Sequence, residues 1–209
     1  MAVRFASSSR IKNDLPRYSN FWDNTTIYNP FTPTGSYDAL ATYTVPSGGV
    51  STITFSGLPT GGQYTHLQIR YLARSARTTS TGATMLTQFN SDTGNNYAYH
   101  ILYGDGTSPV AYNGSTTNVM RSYSVASSSS SNTQAYGVGV IDILDYASTS
   151  KFKTLRHLGG YDRNGSGELN LASGLWQSTS AISSITFTLA EATANYEVNS
   201  QFALYGIRG

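Results

Sequence analysis

In the stretch AISSITFTLAEATANYEVNSQFALYGIRG, residues 181–209, apolar Ile185, Phe187 and Leu189 alternate with Thr186 and Thr188. That period of two marks a strand burying one face. After a polar turn, Phe202-Ala203-Leu204-Tyr205-Gly206-Ile207 is apolar on both faces. A strand with no polar side fits a sheet covered on both sides, so this segment reads as a closing strand, seated once the rest of the sheet exists.

The same alternation recurs upstream. Ile53 and Phe55 point inward in Val50–Ser56, and Leu67, Ile69 and Tyr71 oppose His66, Gln68 and Arg70 in Tyr64–Ala73. Further strands are expected at Ala39–Val45, Met85–Asn90, Tyr97–Tyr103, Ala135–Tyr146, Phe152–Tyr161 and Leu169–Gln177, with a weaker one at Val119–Val125. Gly, Pro and Asn clusters separate them, notably Pro46-Ser47-Gly48-Gly49, Gly57–Gly62 and Ser91–Asn96. Arg74–Thr84, Gly104–Asn118 and the serine run Ser127–Ser131 read as loops. Roughly ten strands at hairpin spacing, with no sustained helical period, predict an all-β fold. The expected architecture is an antiparallel β-sandwich, jelly-roll-like, over residues 38–209.

Residues 1–37 show no such period. They carry Pro16, Pro30 and Pro33 and scattered aromatics, and read as an extended N-terminal arm. Phe21, Trp22, Tyr28 and Phe31 are its candidate interface residues, because interfaces favour aromatic side chains, and the arm is a possible particle anchor.

Charged residues make up 11% of the 209, against roughly 25% in ordinary soluble domains. Ser, Thr, Gly, Asn and Tyr replace them, as in adhesive or sugar-binding β-proteins. A net charge of +2, without a dense basic run, argues against a nucleic-acid partner. No apolar run reaches the length of a membrane span. With no cysteine there are neither disulfides nor thiolate metal sites. The first 21 residues lack the apolar core of a signal peptide. An adhesive composition without that signal suits a protein made in a host cytoplasm and released in a virus particle.

Catalytic signals are weak. His66, His100 and His157 each fall inside an expected strand, where a structural role is expected, and no Gly-x-Ser-x-Gly or His-Glu-x-x-His occurs. Asp142 and Asp145 suit pairing with an Arg or a backbone amide better than paired-carboxylate hydrolysis. Asp162, Asn164 and Ser166 mimic the start of a calcium loop, but position twelve is Ser173 rather than Glu. The Asn164-Gly165 pair there equally signals a hairpin turn. Tyr97, Tyr99, Tyr103, Tyr112 and Trp176 are candidate sugar-stacking residues, with loops at Asp92–Asn96, Gly104–Asn118 and Asp162–Glu168. No catalytic residue, cofactor or metal is assigned.

An ordered series of segments resembles a family of tailed-bacteriophage virion structural proteins. Its pieces are Ser51–Phe55, Tyr64–Arg70, Phe89–Tyr97, Ile141–Tyr146, Gly160–Gly167, Ser173–Trp176 and Phe202–Ile207, within residues 39–209. The resemblance implies a non-enzymatic particle component of tail, fibre or capsid-decoration type, located in the virion after assembly in the host cytoplasm. Other virion proteins are the implied partners. A charge-poor, Tyr-rich surface adds the expectation of a symmetric homo-oligomer, with a trimer as the first choice. Two further readings are a carbohydrate-binding module that attaches to a host surface glycan, and a hydrolase of surface polymers.

Overall fold

The structure is a computed structural model and describes residues 37–128, 134–191 and 193–209. The aromatic residues Phe21, Trp22, Tyr28 and Phe31 lie outside the described residues, as does most of the serine run. Residues Tyr37–Gly209 form one compact unit, with twelve strands among the described residues.

The strands are β1 (Tyr37–Thr44), β2 (Thr52–Ser56), β3 (His66–Ser75), β4 (Gly82–Phe89), β5 (Tyr97–Gly104) and β6 (Pro109–Thr117). They continue as β7 (Met120–Ser127), β8 (Gly137–Leu144), β9 (Lys153–Asp162), β10 (Gly167–Trp176), β11 (Ser184–Leu189) and β12 (Gln201–Ile207). A short sheet runs β2-β11-β4-β7 and a long sheet runs β1-β12-β3-β8-β9-β10-β5-β6. The two meet at one corner, where Arg74 and Ser75 of β3 pair in parallel with Ala126 and Ser127 of β7. All other pairings are antiparallel.

The connectivity is that of a jelly roll. First and last strands pair, as do β2 with β11, β3 with β8 and β4 with β7. Two hairpins are added to this eight-strand roll. One is β5–β6, inserted between β4 and β7, and the other is β9–β10, inserted between β8 and β11. Both extend the long sheet on the β8 side, and they pair with each other through β10 and β5.

The core lies between the sheets and is built on the inward positions of the roll: Ile53, Leu67, Ile69, Met85, Phe89, Ile141, Ile143, Ile185, Phe187 and Leu204 are buried. Phe202 sits at its centre, with ring centroids 5.4 Å from Tyr71, 5.5 Å from Phe187 and 5.4 Å from Tyr196. Each such ring removes on the order of 150–250 Å² from water, so this cluster is a large share of the apolar driving force.

Three expectations need correction. The segment Gly104–Asn118 is not a loop: its residues Pro109–Thr117 form β6, a polar edge strand paired along β5. Its side chains alternate too little in polarity to announce a strand. The closing strand β12 does insert between β1 and β3, but only Phe202, Leu204 and Gly206 are fully buried. Ala203, Tyr205 and Ile207 face the outer surface and are half-buried, so this sheet is covered on one side. Tyr97 and Trp176, offered above as sugar-stacking residues, are core residues stacked on each other at 6.4 Å.

Candidate functional site: the outer face of the long sheet

Side chains alternate across a strand, so each added hairpin has an inward and an outward face. On β9 the inward set is Lys153, Leu155, His157, Gly159 and Tyr161, and on β10 it includes Glu168, Asn170, Ala172 and Trp176. The outward set therefore receives Leu158, Leu169 and Leu171. The registers bring these into rows. Val140 of β8 stands opposite Leu158, Leu158 opposite Leu171, and Leu171 opposite Leu102 of β5. This aliphatic row crosses four strands, and Leu158, Leu171 and Leu102 remain 55%, 48% and 53% exposed.

A second row runs beside it: Leu72, Val138, Gly160, Leu169 and Gly104. Gly104 leaves open space beside Leu169, and a groove of about 1100 Å³ is walled by Val138, Val140, Leu158 and Leu169. Asp105, Asp162, Glu168, Arg70 and Tyr136 also line it.

The third row is polar: Gln68, Asp142, Arg156, Ser173, His100 and Asn113. Gln68 Nε2 donates to Asp142 Oδ1 at 2.8 Å, and Arg156 donates to Asp142 Oδ2 at 2.7 Å. Burial resists ionisation of Asp142, but Arg156 and Gln68 outweigh it and hold its carboxyl below the usual range. Asp142 thus has the arginine partner expected of it. Asp145 is held instead by Lys151 at 2.6 Å, beside His66 at 3.8 Å. These exposed pairs fix side-chain positions more than they stabilise the fold.

The calcium-loop residues form a tight hairpin turn. Asn164 and Gly165 take φ of 55° and 112°, Arg163 N donates to Ser166 O at 2.8 Å, and Asp162 Oδ1 accepts from Asn164 N at 2.7 Å. Left-handed backbone at both central positions is the reason Asn-Gly occurs there. Among the described residues no group of three or more His, Asp and Glu side chains comes together to hold a metal ion. The loop Asp92–Asn96 is likewise occupied internally: Asp92 accepts from Gly94 N, Asn96 Nδ2 and Trp176 Nε1.

One cluster has the residue types of nucleophilic catalysis. Ser124 Oγ lies 3.2 Å from His157 Nε2, and Tyr71 Oη lies 2.7 Å from the same nitrogen and bonds Ser124 as well. Asn170 approaches the ring without reaching hydrogen-bond geometry. Ser124 is delivered by a bulge in β7, where Ala83 pairs with Val125 but Thr84 pairs with Tyr123. Ser124 and His157 have no exposed surface, and burial pushes the imidazole down to about 4. The cluster works as an internal polar tie between β3, β7 and β9.

Comparison of the chain with known protein families, with curated proteins and with solved structures gave no match. The outer face is therefore interpreted from its geometry. Sequence periodicity located its strands other than β6 but not its direction, since alternation alone does not say which of two faces is inside.

Proposed function

We propose that this chain is a non-enzymatic structural protein of a bacteriophage virion, displayed on the particle surface, which assembles with further copies of itself through the outer face of its long sheet. The row Val140–Leu158–Leu171–Leu102 carries the reading. Contiguous exposed aliphatic side chains on a sheet face are costly in water and mark an interaction surface. The polar row beside it holds Asp142 and the outward-reaching Arg156, so a two-fold or three-fold contact can exchange ion pairs between copies.

The segment series that resembles tailed-phage virion proteins supports the particle assignment. The jelly-roll order adds to it at the level of architecture, since capsid and lectin domains are among those built on it. A trimer on the tail, a fibre or the capsid shell is the expected assembly.

Cryo-electron microscopy of particles carrying the protein tests this directly. Density at regular positions on the shell assigns a decoration role, and density at the tail, neck or fibre assigns host attachment. Purified particles that lack the protein overturn the reading.

A further inference from the structure

The added hairpins carry a second feature on their other side. Where β5 and β6 approach β4 and β7, a pocket of about 200 Å³ opens, and its walls are Tyr103, Tyr112, Tyr123 and Tyr161. Glu168 is the carboxyl among them, and Arg77 and Thr81 also line it. Tyr103 and Tyr112 are stacked at 5.7 Å with their planes 15° apart, and Tyr123 leans across both at 5.8 and 6.1 Å. Tyr112 is 47% exposed, so the pocket has a mouth.

The polar groups are arranged to leave capacity inside. Arg77 is committed to Glu191 at 2.7 Å and to Gly82 O at 3.0 Å. Tyr161 Oη meets Glu168 Oε2 only at 3.4 Å, while Glu168 Oε1 is buried with no hydrogen-bond partner. A buried carboxyl oxygen without a partner is a debt of free energy that a bound hydroxyl can relieve.

We propose that this tyrosine-walled pocket binds one sugar ring of a neutral saccharide. A sugar ring presents aliphatic C–H faces to aromatic walls and hydroxyls that both donate and accept, which matches phenols gathered around one carboxyl. The volume lies below that of drug-sized pockets, which limits the occupant to a small ring. Burial, with Asp105 nearby, pushes the Glu168 carboxyl up to about 7, which works against a fixed negative charge there. That behaviour suits a hydroxyl and not a fixed cation. Tyr161 and Glu168 line both this pocket and the outer groove, but Tyr103, Tyr112 and Tyr123 line the pocket and not that groove, and the glycoside titration reads the pocket independently of self-association.

The test is titration of the full-length protein with methyl glycosides of glucose, galactose, mannose and N-acetylglucosamine, followed by NMR, with tetramethylammonium as the cationic probe. The variants are Tyr112→Ala and Glu168→Leu, each checked for an unchanged chemical-shift pattern away from the pocket. Saturable binding of at least one glycoside, weakened tenfold or more in both variants, supports the proposal. No saturable binding by any glycoside overturns it, as does binding that both variants retain. Saturation by tetramethylammonium in preference to every glycoside overturns it in favour of a cation site.

Discussion

Tyr71 and His157 meet inside the sandwich, with Tyr71 Oη 2.7 Å from His157 Nε2 and the two rings stacked 9° from parallel at 5.9 Å. Tyr71 belongs to the original roll and His157 to an added hairpin, so their contact ties the extension to the core. Burial keeps this imidazole neutral in the folded protein, with its pKa near 4 rather than 6.5. The unfolded chain binds the proton first as pH falls. Stability is therefore complete above pH 6.5 and is lost as pH drops towards 4, by about 3 kcal/mol. Melting temperature against pH measures this, and His157→Phe flattens the profile between those limits while keeping the stack. An unchanged slope in that variant assigns the acid sensitivity elsewhere.

The same tyrosine sets the tolerance of β8. A Cβ on Gly139 would stand 2.5 Å from the Tyr71 ring, which Ser124 and His157 hold in place. Gly139→Ala is expected to lose about 1–3 kcal/mol by overpacking. Gly104→Ala, where a Cβ meets nothing within 4 Å, serves as the control and stays near neutral. Denaturant unfolding of both variants decides the matter.

Asp92 closes the turn between β4 and β5 onto the buried indole of Trp176, accepting from Nε1 at 2.7 Å. That bond, followed by the one from Asn96, pulls its carboxyl below the ordinary value, so the contribution is present above pH 4 and fades as pH falls through the folded pKa. Asp92→Ala leaves the indole N–H unpaired and costs about 1–2 kcal/mol. The tryptophan emission maximum shifts at the same time.

Glu168 behaves in the opposite sense to Asp92. Its folded pKa is raised to about 7, mainly by burial, with Tyr161 and Asp105 beside it and Tyr103, Tyr123 and Arg77 around the same pocket. The unfolded chain releases its proton at lower pH, so the folded state is penalised increasingly from about pH 4.5 to 7. Glu168→Gln should melt a few degrees higher than the parent at pH 8, the gap closing below pH 5. Thermal scans at the two pH values show it.

Leu158 stands in the middle of the aliphatic row with Val140 on one side and Leu171 on the other. Leu158→Arg places a charge there without touching the core, so the fold remains and self-association weakens by tenfold or more. Sedimentation velocity across micromolar concentrations reads the change. A parent protein that stays monomeric over that range removes the face from assembly.

Much of the fold was legible in the chain. The alternation in Ile185–Leu189 and Leu67–Tyr71, and the Gly, Pro and Asn punctuation, fixed an antiparallel all-β sandwich, because strand period and turn chemistry are local properties. The Asn164-Gly165 turn was equally local and formed as expected. Of the five tyrosine and tryptophan candidates, Tyr103 and Tyr112 reached a pocket, whereas Tyr97 and Trp176 went to the core. Nothing local separates these outcomes.

What the sequence determined alone was most of the strands, β6 excepted, and the two faces of each one. Which face turned inward was decided only by tertiary pairing. In β9 and β10 the polar His157, Asn170 and Glu168 went inside and Leu158, Leu169 and Leu171 went out, contrary to simple burial preference. The physical reason is collective. A one-residue change of register inverts a whole strand, and the partners already waiting inside are Tyr71 and Ser124 for His157 and the tyrosine pocket for Glu168.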